Sequence, residues 1–137
     1  MNVDVTLHFQ TFLDDEREET HHQFTGDYGF DEKGTTLSYT EIIEGVSTDV
    51  VIQHKNETVE ILRKGPHSTR FVLIEGKTFP CDYATPYGNL SMDVTAETID
   101  NQLTNEGGSM MLSYYLTMGS GKSHHILNLT VKKREKP

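Results

Sequence analysis

Apolar and polar residues alternate along most of this chain, and that period of two constrains the fold more than any other feature. Val3, Val5, Leu7 and Phe9 alternate with Asp4, Thr6, His8 and Gln10. A β-strand sends successive side chains to opposite faces, so this pattern describes a half-buried strand. The alternation returns at His22, Phe24, Gly26, Tyr28 and Phe30, and again over residues 37–43, 46–54, 59–63, 70–75 and 79–83. It continues at Leu90, Met92, Val94 and Ala96, at Met110, Leu112, Tyr114, Leu116 and Met118, and at Leu127, Leu129 and Val131. Turn residues separate the runs, among them Asp31-Glu32-Lys33-Gly34, Gly65-Pro66, Thr85-Pro86-Tyr87-Gly88 and Gly119-Ser120-Gly121-Lys122. This spacing predicts about eight to ten strands at intervals of about 10 residues. Residues 97–105 read as a polar extension of the strand before them, with a helix as the alternative.

The pattern therefore predicts an all-β fold, a single antiparallel meander in one domain spanning residues 1–137. One solvated sheet face needs only every second residue apolar, which suits a hydrophobic content of 34 %. Closure into a β-barrel would remove the exposed edges, and a β-sandwich is the other solution that strand spacing allows. Gly26, inside a strand pattern, predicts a bulge or a bend. The charged run Asp14-Asp15-Glu16-Arg17-Glu18-Glu19 reads as a solvated hairpin loop, and residues 132–137 read as a frayed basic tail.

Twelve basic residues stand against 21 acidic ones, for a formal net charge of −9. That balance repels phosphate backbones and anionic lipid, so neither nucleic acid nor a membrane surface is an expected partner. Cys81 is the lone cysteine and has no internal disulfide partner. With no basic or apolar leader at Met1-Asn2-Val3-Asp4-Val5, the chain reads as cytoplasmic.

Strand parity gives the main chemical expectation. Leu37, Tyr39, Glu41 and Ile43 share one face, as do Val59, Ile61 and Arg63. If those faces are interior, Glu41 and Arg63 must pair with each other or with tyrosine hydroxyls, because an unpaired interior charge is very costly. Two readings remain open: a structural ion pair near a barrel rim, or a polar anchor in which Arg63 or Arg70 holds a ligand carboxylate. The chain has seven histidines. The adjacent pairs His21-His22 and His124-His125 point to opposite faces of a strand, so neither chelates as a unit, and no metal site is expected. Gly119-Ser120-Gly121-Lys122 lacks the spacing of a phosphate loop, and no base stands beside Cys81 in the sequence. No catalytic residue and no cofactor is expected.

Taken in order, Thr25-Gly26-Asp27-Tyr28, Leu37-Ser38-Tyr39-Thr40-Glu41, Arg63-Lys64-Gly65, Arg70-Phe71, Tyr83-Ala84-Thr85-Pro86-Tyr87-Gly88 and Leu112-Ser113-Tyr114 resemble the YwiB-like family of small bacterial proteins of unknown function. The resemblance covers nearly the whole chain. It implies a calycin-type barrel akin to lipocalins and fatty-acid-binding proteins, and brings no substrate, cofactor or catalytic residue with it. Together these readings predict a non-enzymatic binding module for a small amphipathic or carboxylate-bearing ligand. Its candidate contacts are Tyr39, Glu41, Arg63, Arg70, Thr85, Tyr87 and Tyr114. The alternative is a homodimer or larger homo-oligomer that acts through its outer surface and has a filled interior.

Overall fold

The computed structural model describes residues 1–134. Its ten strands are β1 (Asn2–Leu13), β2 (Glu16–Asp31), β3 (Gly34–Ile43), β4 (Val46–Lys55), β5 (Thr58–Lys64), β6 (Thr69–Ile74), β7 (Thr78–Thr85), β8 (Gly88–Thr104), β9 (Gly107–Met118) and β10 (Gly121–Lys133). They form one antiparallel sheet in the order β6-β5-β4-β3-β2-β1-β10-β9-β8-β7. Every strand lies beside its sequence neighbours, and the pairing of β1 with β10 curls the meander into a barrel. One continuous sheet thus decides against the sandwich.

The barrel is nearly closed. β6 and β7 meet through a single bridge, Ser68 with Ala84, whose two backbone hydrogen bonds are both 2.9 Å. Ala84 turns both its backbone groups toward β6, and the period of two places Pro80 on that same edge of β7. Proline has no N–H to donate, so the seam does not zip along its length. A second opening lies between β2 and β3. Their pairing runs only from Gly26–Tyr39 to Asp31–Gly34, while residues 16–25 of β2 pair with β1 alone. Gly26 marks this bend. A Cβ there would lie 2.6 Å from the Ser38 carbonyl oxygen and 3.0 Å from Tyr39 Cβ, so only glycine permits the close approach.

Two expectations need correction. Of the charged run at residues 14–19, only Asp14 and Asp15 form the turn, and Glu16 to Glu19 already belong to β2. Asp14 adopts a left-handed φ of 54°, as two-residue hairpins require. The tail is not frayed over its first residues. Lys132 and Lys133 pair with Asp4 and Val3, and the Arg134 N–H donates to the Asn2 carbonyl at 3.0 Å; residues 135–137 lie outside the described residues. Residues 97–104 extend β8 as expected, with a β-bulge between Ala96 and Thr98. The bulge falls at Glu97 and shifts the inward parity from Met92, Val94 and Ala96 to Ile99, Asn101 and Leu103.

Successive turns of a meander fall at alternate ends of the barrel. Toward the end that holds the chain terminus at Met1, the interior is filled by the buried Val3, Leu37, Val59, Leu73, Leu129 and Val131, with a smaller hollow of about 280 Å³ at the rim beside His54, Ile74, Ile99 and Asn101. Tyr28 donates its hydroxyl to the Thr104 carbonyl at 2.6 Å, tying β2 to the tip of β8. The other end, bounded by the turns at Asp14, Gly45, Pro86 and Gly119, stays open.

Candidate functional site

Inside that open end lies a cavity of about 460 Å³. Leu7, Phe9, Val50, Ile61, Phe71 and Leu127 supply much of its wall, and their alternation with outward polar residues is what turns them inward. Between them stand polar groups from eight of the ten strands.

The central pair comes from β3 and β5. Tyr39 and Glu41 follow Leu37 on the inward face of β3, and Arg63 follows Ile61 on β5. The strand between them carries Thr48 opposite Glu41 and Val50 opposite both Tyr39 and Arg63. These residues are short enough for the guanidinium to cross β4. Arg63 donates two bonds to the Glu41 carboxylate, Nη1 to Oε1 at 3.1 Å and Nη2 to Oε2, while the Tyr39 hydroxyl donates to Oε1 at 3.2 Å. The bidentate fork fixes geometry as well as charge. Glu41 is buried, whereas the Arg63 side chain is 37 % exposed, so the pair stands at the border between core and cavity. Burial works against the Arg63 charge, but the Glu41 carboxylate more than offsets it and the guanidinium titrates above its ordinary range. Burial, reinforced by Glu41, likewise pushes the Tyr39 phenol up and keeps it neutral.

A second polar row faces this pair from β9 and β10. Tyr114 stacks on His125 with ring centroids 5.2 Å apart and meets Phe71 edge-on at 5.8 Å. Burial pushes the Tyr114 phenol up, with Arg63 pulling the other way. His125 bonds through both ring nitrogens, Nδ1 with Thr11 Oγ1 at 3.2 Å and Nε2 with Ser123 Oγ at 2.7 Å. Burial first, and the neighbouring His124 second, push its pKa down to about 4, so the ring is neutral near pH 7. At the β6–β7 seam His67 stacks on Tyr83, and His67 Nδ1 lies 3.0 Å from the Tyr83 hydroxyl. Thr69 lines the same cavity at 8 % exposure, and its buried Oγ1 has no hydrogen-bond partner among the described residues.

Of the candidate contacts, the structure thus brings Tyr39, Glu41, Arg63 and Tyr114 together on the cavity wall. The other three lie elsewhere. Arg70 sits between the buried Thr69 and Phe71, so parity turns it outward, where its guanidinium pairs with Glu60 at 3.1 Å. Thr85 closes the β7–β8 turn, accepting from the Tyr87 N–H at 3.1 Å and donating to the Gly88 carbonyl at 2.8 Å. Tyr87 is 97 % exposed at the tip. His125, Thr69, Tyr83, His67 and His22 are cavity residues that were not expected. Parity reaches two of them: His125 continues the inward series of Val131, Leu129 and Leu127, and Thr69 precedes Phe71 and Leu73. Burial lifts the Cys81 thiol, away from the nucleophilic thiolate.

The arrangement offers an apolar body with hydrogen-bond donors and acceptors at fixed points, and its one full charge pair is internally neutralised.

The same architecture occurs in the crystal structure of the ywiB protein from Bacillus subtilis, which superposes with a TM-score of 0.88 over 98 % of this chain and 92 % of that one, at 18 % identity. At the level of sequence the chain is 22 % identical over 129 residues to the "Uncharacterized beta-barrel protein YwiB" of Bacillus subtilis, covering 93 % of this chain and 90 % of the relative. A family model described as a domain of unknown function, DUF1934, matches residues 5–129. That match takes in every strand of the barrel and all the cavity's polar groups, and the chain belongs to this family.

Proposed function

We propose that the protein is a non-enzymatic binding module that takes a small amphipathic molecule into the open end of its barrel. The observation that carries the reading is the cavity itself, about 460 Å³ in size, with a mostly apolar wall and a few polar groups held in place by their neighbours. Ligand cavities usually measure about 300 to 1,000 Å³ and combine those two features. Thr69 supports it further, since a buried hydroxyl without a protein partner has hydrogen-bonding capacity to spare. The exposed Ile43 carries the apolar wall out to the rim, where a greasy molecule enters.

The charge pattern narrows the head group. Glu41 already cancels Arg63, so an incoming carboxylate must share the guanidinium with a fixed anion. A hydroxyl, amide or other uncharged polar head faces no such competition, and Tyr39, Tyr114 and Thr69 offer hydroxyls to it.

Native mass spectrometry of freshly purified protein tests this reading. A co-purified adduct of a few hundred daltons is expected, removed by delipidation and lost in a Thr69→Trp variant that fills the cavity. Protein that emerges only at its bare mass, and takes up neither decanol nor decanoate when offered, contradicts it.

A further inference from the structure

The opposite face of the β1–β2 hairpin holds a second constellation, unrelated to the cavity. On β1 the outward residues include His8 and Gln10, and on β2 they include His21 and Glu19. The register pairs His8 directly with His21 and Gln10 with Glu19. Cross-strand pairing therefore stacks the two imidazoles, with centroids 4.2 Å apart and planes within 9°, and sets the carboxylate beside them. Three donor atoms converge: His8 Nε2 lies 2.5 Å and His21 Nε2 3.3 Å from Glu19 Oε1, and all three lie within 4.8 Å of one another.

We propose that His8, Glu19 and His21 form a binding site for a divalent cation of the zinc class. Two imidazole nitrogens and one carboxylate oxygen are the ligand set of many three-ligand zinc sites, in which water completes the tetrahedron. Metal–ligand bonds of about 2.0 to 2.1 Å place tetrahedral donors about 3.3 Å apart, so the ion enters once His8 moves off Glu19 and the two stacked rings tilt until their planes meet at it. The carboxylate is already oriented from behind. Arg17 donates to its other oxygen, Oε2, at 2.6 Å and itself lies over the Phe12 ring, 5.9 Å from the centroid. Such outer partners hold a ligating carboxylate in register.

Sequence spacing alone hid this site. Neither His21 and His22 nor His124 and His125 chelate as adjacent pairs; the partners come from facing strands, thirteen residues apart along the chain.

Calorimetric titration of chelator-treated protein with zinc chloride tests the site, with X-ray absorption of the zinc-loaded protein as a second readout. One zinc ion per chain is expected to bind at micromolar concentration, with two imidazoles and oxygen in its shell. Glu19→Gln and His21→Ala are each expected to weaken binding on the order of 100-fold, the upper end of what the loss of an outer partner costs. His21 is 67 % exposed, so its replacement leaves the fold in place, as circular dichroism of the variant checks. His54→Ala, on β4 and away from the β1–β2 hairpin, is expected to bind zinc like the parent. Unsaturable binding, a shell without imidazole, or affinity unchanged in both ligand variants overturns the proposal.

Discussion

The two ends of the barrel are built from the same ten strands and differ in what their interior faces carry. At the end near Met1 the inward positions hold Val3, Leu37, Val59, Leu73, Leu129 and Val131, and the Tyr28 hydroxyl closes on the Thr104 carbonyl. At the open end the same inward rows continue into Tyr39, Glu41, Arg63, Tyr114 and His125, and a cavity of about 460 Å³ remains among them. Apolar side chains fill most of one end, where only a smaller hollow beside His54 and Asn101 remains, while the other retains more polar groups and more open space than a stability-driven core would keep. The larger cavity and the interior ion pair both stand at the open end, which is where the proposed binding falls.

Substitutions break or sharpen this contrast. The largest effect belongs to the packed end: Leu37→Ala removes a fully buried side chain and is expected to cost about 3 kcal/mol in urea unfolding, with uptake of decanol at the mouth unchanged. At the open end, Arg63→Met leaves the buried Glu41 with Tyr39 as its remaining partner. We expect a loss of about 2 kcal/mol, less than for a fully buried pair because Arg63 is partly solvated, and adding Glu41→Gln should recover part of it. A double-mutant cycle without coupling would mean that solvent screens the pair.

Acid probes the same end through His125. Its folded value of about 4 lies below the ordinary value of about 6.5 expected in the unfolded chain. Between those values the unfolded state binds the extra proton, so this contribution to stability is intact above about pH 6.5 and falls as the pH drops toward 4. The expected loss at pH 5 is about 1 to 2 kcal/mol, and His125→Gln should flatten that slope of stability against pH. Thr69→Val replaces an unpartnered hydroxyl with a methyl group and should raise stability by about 0.5 to 1 kcal/mol while weakening ligand uptake. Tyr87→Ser, at the exposed tip, should change stability by less than about 0.5 kcal/mol and binding not at all.

Much of this was legible in the sequence because a strand's period of two is a rigid rule. It placed Glu41 beside Tyr39 on the inward face, put Arg63 on the face of Val59 and Ile61, and so anticipated the ion pair. Where the rule was applied to a contact preference instead, it was set aside: Arg70 alternates with Phe71 and therefore faces water. Thr85 and Tyr87 belong to a turn, where hydroxyls serve local backbone bonds. Closure was less legible. Alternation is the same in a barrel and a sandwich, and the pairing of β1 with β10 is a contact between chain ends that no local pattern encodes. The bulge at Glu97 was hidden for a related reason, since an added residue reverses parity only in relation to the partner strand. The His8–Glu19–His21 cluster is likewise a product of register, set by a two-residue turn whose length the charged run obscured.

The most direct measurement is a titration of isotope-labelled protein with decanol, followed by amide and side-chain chemical shifts. Perturbations are expected to centre on Tyr39, Glu41, Arg63, Thr69, Tyr114 and His125, saturate at one ligand per chain, and leave Val3, Leu37, Leu73 and Leu129 unmoved. Shifts that scatter over the outer surface without saturating, or none in the mouth, would contradict the account.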